Sequence, residues 1–558
     1  MAEVVGTVIG VVGFLGQLFD GCVKAYGYFS AAANLDADSA RLLCKVRIEE
    51  MRLVVWGREW GVAEGRLEAH LRSRECNPQL AALAEGIMKE LHATVTDFAR
   101  LRERYGFAED GAGGDFNDSL EQLFPPSRLP SLHRAWRHSL LDSAQRDISQ
   151  LTLLESSSAE TYPQLTASAT LKKLRLNLDA APQASFKPTF AFKVPLADLD
   201  LGADARTGHT PGNSCSKSSR SRSSRPSSST VDLSSTSSSS SSSSRVSAPR
   251  THASHNTHGP VLIEWVEYDP SDPEERFLHL RRLDDLARMM HSASARHPDL
   301  HTIDCVGYTA DKPNARYGLV YRCPPPLSLL PSAHQAATTA AAAATSHSTL
   351  HTLISSPDLK TPDLDDRVRL ASTLAVALWS LHSLDWLHKS LCSANILFFP
   401  SAASLAATRA TASAAVVPDV SCPYLVGFDA SRPDFDAEMS VNPRNPSILD
   451  LHRDPRSLGT GLSRRQYCKS YDVYSLGLVL LEIGLWKVLQ TYYKPHYSSE
   501  RWRDKIILPA LVPGLGSKTG KLYKNVVEKC LTAKDDMSST EAGQLMGWVV
   551  TTLESIRT

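Results

Sequence analysis

The chain has no surplus of charge of either sign, with 60 Lys and Arg against 60 Asp and Glu over 558 residues. A formal net charge of zero removes any global electrostatic drive toward nucleic acid, and none is expected as a partner. Paired cysteines are missing as well. The ten cysteines include no C-x-x-C pair and no zinc-like quartet, and most, such as Cys22, Cys305 and Cys530, sit in apolar segments. That suits reduced, buried thiols in an intracellular protein. The N-terminus lacks a basic region ahead of its apolar stretch and lacks a convincing cleavage site, so secretion is not expected. Long hydrophobic runs are scarce too. Residues 4–19 carry no charge but fall short of the roughly 20 apolar residues that span a bilayer, leaving a marginal membrane segment.

What is present divides the chain. Helical periodicity over about 4–30, 37–60, 79–105 and 130–154 predicts an all-α bundle within 1–162. Residues 163–201 lose that periodicity and read as a brace or connector. Residues 202–259 contain "SKSSRSRSSRPSSSTVDLSSTSSSSSSSSR", which has almost nothing to bury and predicts a disordered linker joining the two halves. From 260 to 558 strand-like runs ("VLIEWVEYD", "YGLVYRC") precede helical ones, which fits a two-lobed α+β domain. Ala/Ser/Thr-rich stretches near 334–349 and 401–417 read as surface insertions. The expected fold is therefore multidomain.

The first helix has two faces. Val4, Val8, Val11, Leu15, Leu18 and Cys22 form an apolar stripe, while Gly6, Gly10, Gly13 and Gln17 form a small or polar one. Glycines cost about 1 kcal/mol each in a helix, so close helix packing, in lipid or in a bundle, would explain them. The ordered string "FDGCVKAYGYF" followed by "ARLLCKVRIEEMRLVVWGREWGV", with Trp56 and Gly57 at a helix end, resembles the HeLo domain of fungal heterokaryon-incompatibility (HET-S type) proteins, the prion-inhibition and propagation family. The resemblance implies a helical bundle whose N-terminal segment can leave for a membrane. It makes lipids and self-association the expected partners.

The C-terminal half resembles protein kinases with their chemistry removed. In "VLIEW" Glu264 stands where the phosphate-holding lysine would be, and an anion there repels phosphates. In "LHKSLCSANILFF" the H-R-D triplet becomes His388, Lys389 and Ser390, while Asn395 keeps the kinase spacing as a vestige of nucleotide chemistry. Serine cannot act as a general base near neutral pH without a base of its own. In "YLVGFDASRP" the metal-binding triplet reads Gly427, Phe428, Asp429, with the carboxylate moved two positions. "YDVYSLGLVLLEIG" keeps Asp472 and Gly477, which the resemblance makes scaffold residues along with His388. A second "HRD", His452 to Asp454, lacks an asparagine five residues on and reads as the end of the activation segment. No G-x-G-x-x-G precedes Val261. The resemblance thus implies a pseudokinase with no catalytic residue, no metal, and no cofactor, ATP and magnesium included.

Together these expectations describe a HeLo–pseudokinase effector of fungal cell death. It would be cytoplasmic, recruited conditionally to the plasma membrane, and answerable to an upstream signalling protein. A scaffold using the bundle only to oligomerise is the alternative, and a residual atypical kinase a lesser one.

Overall fold

The computed structural model describes residues 14–30, 37–73, 78–97, 116–125, 129–180, 191–201, 250–291, 293–324, 347–400, 417–428, 432–433, 451–458 and 466–557. The N-terminal region is helical: α1 Phe14–Ser30, α2 Ala37–Trp60, α3 Arg66–Leu71, α4 Pro78–Thr96, α5 Phe116–Leu123, α6 Leu129–Ala144, α7 Ile148–Ser158 and α8 Pro163–Ala180. Leu15, Phe19, Cys22 and Ala25 recur at spacings of four and three, so one stripe of α1 is buried against α2 and α4. Phe19 lies on Gly57, where an added Cβ would meet the ring at 2.2 Å. Gly57 is therefore an internal contact of α2, which continues to Trp60, rather than a helix end. Asp147 caps α7 by accepting the N–H groups of Ser149 and Gln150.

Residues 163–180, expected to be non-periodic connector, form α8 and belong to the bundle. Leu165, Ala169 and Leu176 join its core, while Leu171 joins that of the C-terminal region. The apolar periodicity is broken because Lys172 and Arg175, both fully buried, occupy part of the same faces.

The chain then enters a curled antiparallel sheet: β1 Leu199–Asp200, β2 Arg250–His255, β3 Gly259–Glu267, then helix α9 Pro273–Met290, β4 Cys305–Asp311 and β5 Arg316–Arg322, in the spatial order β1-β2-β3-β5-β4. Before β1, residues 192–194 run beside β4. Val194 N–H donates to Tyr308 O and Tyr308 N–H to Phe192 O, both at 2.8 Å. Residues 192–200 thus reach from one sheet edge to the other, with Val194 and Leu199 packed on Val261, Ile263 and Val320. Gly307 permits the approach, since a Cβ there would sit 2.1 Å from Phe192 O.

This strap changes the meaning of the Ser-rich stretch. Residues 202–249, which hold that stretch, lie outside the described residues, and the strands on either side of them, β1 and β2, are paired in one sheet. The expected linker boundary at 259 also moves, because Arg250–His255 is a strand in register with β3.

Beyond the sheet follow β6 Ser348–Thr349, α10 Leu350–Ser355, α11 Leu364–Ser383, β7 Trp386–Leu387, β8 Ile396–Phe398, β9 Tyr424–Leu425, α12 Lys469–Leu485, α13 Val512–Leu531 and α14 Ser539–Ser555. β6, β8 and β9 form a three-stranded sheet, so the insertion expected to reach 349 stops before Ser348. Residues 334–346 and 401–416 of the two expected insertions lie outside the described residues. Helix α12 is buried nearly all round, consistent with its unbroken apolar run.

The bundle rests on this domain through α6 and α8. Arg134 pairs with Glu554 of α14 (3.1 Å) and with Asp299 (3.4 Å), and Ser131 hydrogen-bonds Glu554. His138 meets Trp379 of α11 edge-on at 4.5 Å.

Candidate functional site

Strand pairing puts Arg250 of β2 directly opposite Glu264 of β3. Its guanidinium donates to Glu264 Oε1 from Nε (2.9 Å) and Nη2 (2.7 Å), to the Ala394 carbonyl from Nη1 (3.0 Å), and to Asn395 Oδ1 from Nη2 (2.5 Å). Asn395 Nδ2 in turn donates to the Ser390 carbonyl at 2.8 Å. Gly427 N–H donates to Glu264 Oε2 at 3.1 Å, and Tyr321 hydroxyl reaches the same oxygen at 3.4 Å. Glu264, whose side chain is only 6% exposed, is thus enclosed by donors. Such an arrangement suits a buried carboxylate, which needs a counter-charge and hydrogen bonds on its other lone pairs.

Gly427 has φ +84, and a Cβ there would lie 2.4 Å from Asn395 Nδ2. Only glycine fits both constraints. Phe428 packs on His388 with ring centroids 4.8 Å apart. Asp429 lies outside the described residues.

A second node lies behind the loop. Asp472, in the first turn of α12, accepts the backbone N–H groups of His388 (2.7 Å) and Lys389 (2.8 Å) and the Tyr467 hydroxyl (2.9 Å). Burial pushes its carboxyl up, but His382, His388 and the Lys389 N–H overcome this and hold it below the usual range. Burial lowers His388 despite Asp472 beside it. Lys389 adopts φ +67, a left-handed conformation that the Asp472 bond helps to hold. Gly477 admits α13, since a Cβ there would lie 2.9 Å from Cys530 Cβ. The second "HRD" is tied down: His452 pairs with Glu482 at 3.0 Å and Asp454 with Arg456 at 2.6 Å.

The structure therefore brings Glu264, Ser390, Asn395 and Gly427 together, with His388 and Asp472 adjoining. In the bundle Leu15 is buried and Leu18 half-buried, while Gly6, Val8, Gly10 and Gly13 lie outside the described residues. Among the described residues no group of three or more His, Cys, Asp or Glu could hold a metal ion, and no helix is long and apolar enough to cross a membrane.

Two features escape the sequence reading. Arg250 is one, and the signal for it was present: "NTHG" at 256–259 is a turn flanked by two extended runs, the pattern of a hairpin. The other is a cavity of about 680 Å³ in the bundle, lined by Arg52, Glu121, His133, Trp136, Arg137 and Tyr162 among others. No sequence motif marks it, because its walls come from four separate helices.

Residues 6–113 match the family model described as HeLo, prion-inhibition and propagation. Residues 264–546, slightly more than half of the chain, match the family described as a domain of unknown function, DUF7580. The chain belongs to the DUF7580 family. No curated protein matches it. The DUF7580 match begins at Glu264, so Arg250, the strap, and the docking helices α6 and α8 all lie between the two matched spans.

Proposed function

We propose that the chain is a catalytically inactive effector of the fungal cell-death or heterokaryon-incompatibility type. In this reading the DUF7580 region is a pseudokinase that keeps the HeLo bundle docked until an upstream signalling protein releases it. The HeLo match supports the effector half. One observation supports the inactive half: Arg250, Glu264 and Asn395 are spent on one another, and the resemblance to kinases assigns Glu264 and Asn395 to the nucleotide-binding positions. Phosphate brought there would meet the Glu264 carboxylate and would have to break a charge-assisted network to gain Arg250.

The released bundle would act at lipid and by self-association, using the apolar stripe of the first helix that continues through Leu15 and Leu18. The protein would be cytoplasmic until release and at the plasma membrane afterwards. A scaffold that only oligomerises is the second reading, favoured by the lack, among the described residues, of a helix able to cross a membrane.

The test uses the full chain in a host cell. Arg134→Glu removes the pairs to Glu554 and Asp299 and should loosen docking. The expected result is movement into the membrane fraction with loss of viability, both cancelled by adding Gly10→Glu. If the variant undocks by hydrogen exchange yet stays in the supernatant while cells grow normally, the scaffold reading replaces the effector one. For the inactive half, magnesium ATP should produce neither a thermal shift nor phosphotransfer above a buffer control. Turnover lost on Asn395→Ala would overturn it.

A further inference from the structure

We infer that Asp385 couples the seating of the bundle to the shape of the loop at 388–395, its carboxylate being the shared counter-ion of one lysine from each module. The inference rests on the bundle being a module that is released, and it names the element through which release would be felt.

Asp385 lies in the turn between α11 and β7. From the bundle side, Lys172 of α8 reaches Asp385 Oδ2 at 2.9 Å, and its other donors go to the carbonyls of Leu141 (2.8 Å) and Ser383 (3.2 Å). Arg175, one turn further along α8, donates to the Asp385 carbonyl at 3.0 Å. From the domain side, Lys469, the first residue of α12, reaches Asp385 Oδ1 at 3.1 Å. Lys172 is fully buried and Lys469 nearly so, so neither lysine has water as a ready substitute for this carboxylate.

The path onward is short. Lys469 and Asp472 share the first turn of α12, and Asp472 holds the N–H groups of His388 and Lys389. Ser390, next in the chain, offers its carbonyl to Asn395, which accepts Arg250. Two non-glycine residues on this path, Asp385 (φ +53) and Lys389 (φ +67), are in the left-handed region. Residues other than glycine held there rely on surrounding bonds, Lys389 more than Asp385, so losing those bonds favours relaxation of the turn and the loop. Removing the bundle takes Lys172 and Arg175 from Asp385 together. The carboxylate is then left to Lys469 and to entering water, the head of α12 keeps a counter-ion that is no longer held in place, and the left-handed pair relaxes. Burial pushes the Asp385 carboxyl up, but Lys172 and Lys469 hold it below the usual range, the direction expected of a shared counter-ion.

The test is hydrogen exchange with mass readout on the full chain, comparing the unaltered protein with Lys172→Met and Lys172→Arg. A third variant, Leu165→Ala, loosens the bundle core at α8 without touching Asp385. With Lys172→Met, exchange should rise about tenfold or more in two separated segments, α8 and 386–396 with the head of α12, while β3 and β5 stay unchanged. Lys172→Arg, which keeps the charge, should recover most of the protection, and Leu165→Ala should affect the bundle alone. If Lys172→Met raises exchange only in the bundle, as Leu165→Ala does, Asp385 is no coupler. Should Lys172→Met fail to fold, Asp385→Asn read in the same two segments decides in the same way. The readout involves neither membrane nor viability, so failure here leaves the effector reading standing, and failure of the effector reading leaves this coupling standing.

Discussion

Arg52 in the bundle and Arg250 in the C-terminal sheet are both largely buried guanidinium groups set against a buried glutamate, yet they are served differently. Arg52 is 3% exposed and meets three carboxylates: Glu49 one turn earlier (3.2 Å), Asp118 (2.7 Å) and Glu121 (3.0 Å). Tyr162 hydrogen-bonds both Arg52 and Glu49, and all these partners belong to the bundle. Asp118 is 59% exposed, and the cluster opens on the bundle cavity. Arg250 has one carboxylate, one amide oxygen and one backbone carbonyl, and it joins the sheet to the loop at 394–395. The first network is rich in acceptors and reachable by water. In the second, one glutamate oxygen serves two guanidinium nitrogens, and the glutamate is enclosed. The same ion chemistry is therefore expected to tolerate damage better in the bundle than in the domain, where a single carboxylate faces the guanidinium.

The largest expected effect sits at the enclosed site. Arg250→Met strands Glu264 and should cost about 3–5 kcal/mol in chemical denaturation. Arg250→Met with Glu264→Met should return most of that loss, as a double-mutant cycle would register. A single-variant cost no larger than that of a surface ion pair would end the contrast. Next comes Arg52→Met, expected at about 2 kcal/mol, because water entering from the cavity can serve the carboxylates it leaves. A cost equal to that of Arg250→Met would show that the cavity gives no relief.

Gly427→Ala should follow at about 1–2 kcal/mol, from a side chain forced to positive φ and pressed on Asn395. It should also speed hydrogen exchange at 394–396 but not in the bundle. The smallest effect is one of pH. His297 and His347, both in the C-terminal domain, are lowered to about 4 by burial, with nearby cations adding to the shift. Unfolded histidine takes its proton near pH 6.5, ahead of the folded form, so the domain should lose stability as pH falls from about 6.5 toward 4. Thermal unfolding of His347→Gln across that window should show a flatter dependence than the unaltered chain. An equal slope would remove His347 as a source.

Much of the site was legible because the loop and strand around it are local. "VLIEW" gave Glu264 a place inside a buried strand, and the five-residue interval from Ser390 to Asn395 is bridged by one hydrogen bond. Gly427 lies across residues 401–416 from Asn395 in the sequence, and it is the fold that brings the two into contact. Arg250 was marked only by the turn at 256–259, since a strand of Thr, His and Ser next to a Ser-rich run lacks the apolar alternation that announces a strand. The brace helix α8 was hidden by its buried cations.

By itself the sequence determined the helical bundle and the strand-then-helix order of the C-terminal half, because these depend on residue type and short-range period. Only tertiary structure decided which charge answers Glu264, that β1 and β2, on either side of the Ser-rich stretch, pair in one sheet, and that Asp385 sits between Lys172 and Lys469. Each of those is a long-range pairing, closed by strands and helices far apart in the chain, and a buried ion takes whatever counter-charge the fold delivers rather than the one nearest in sequence.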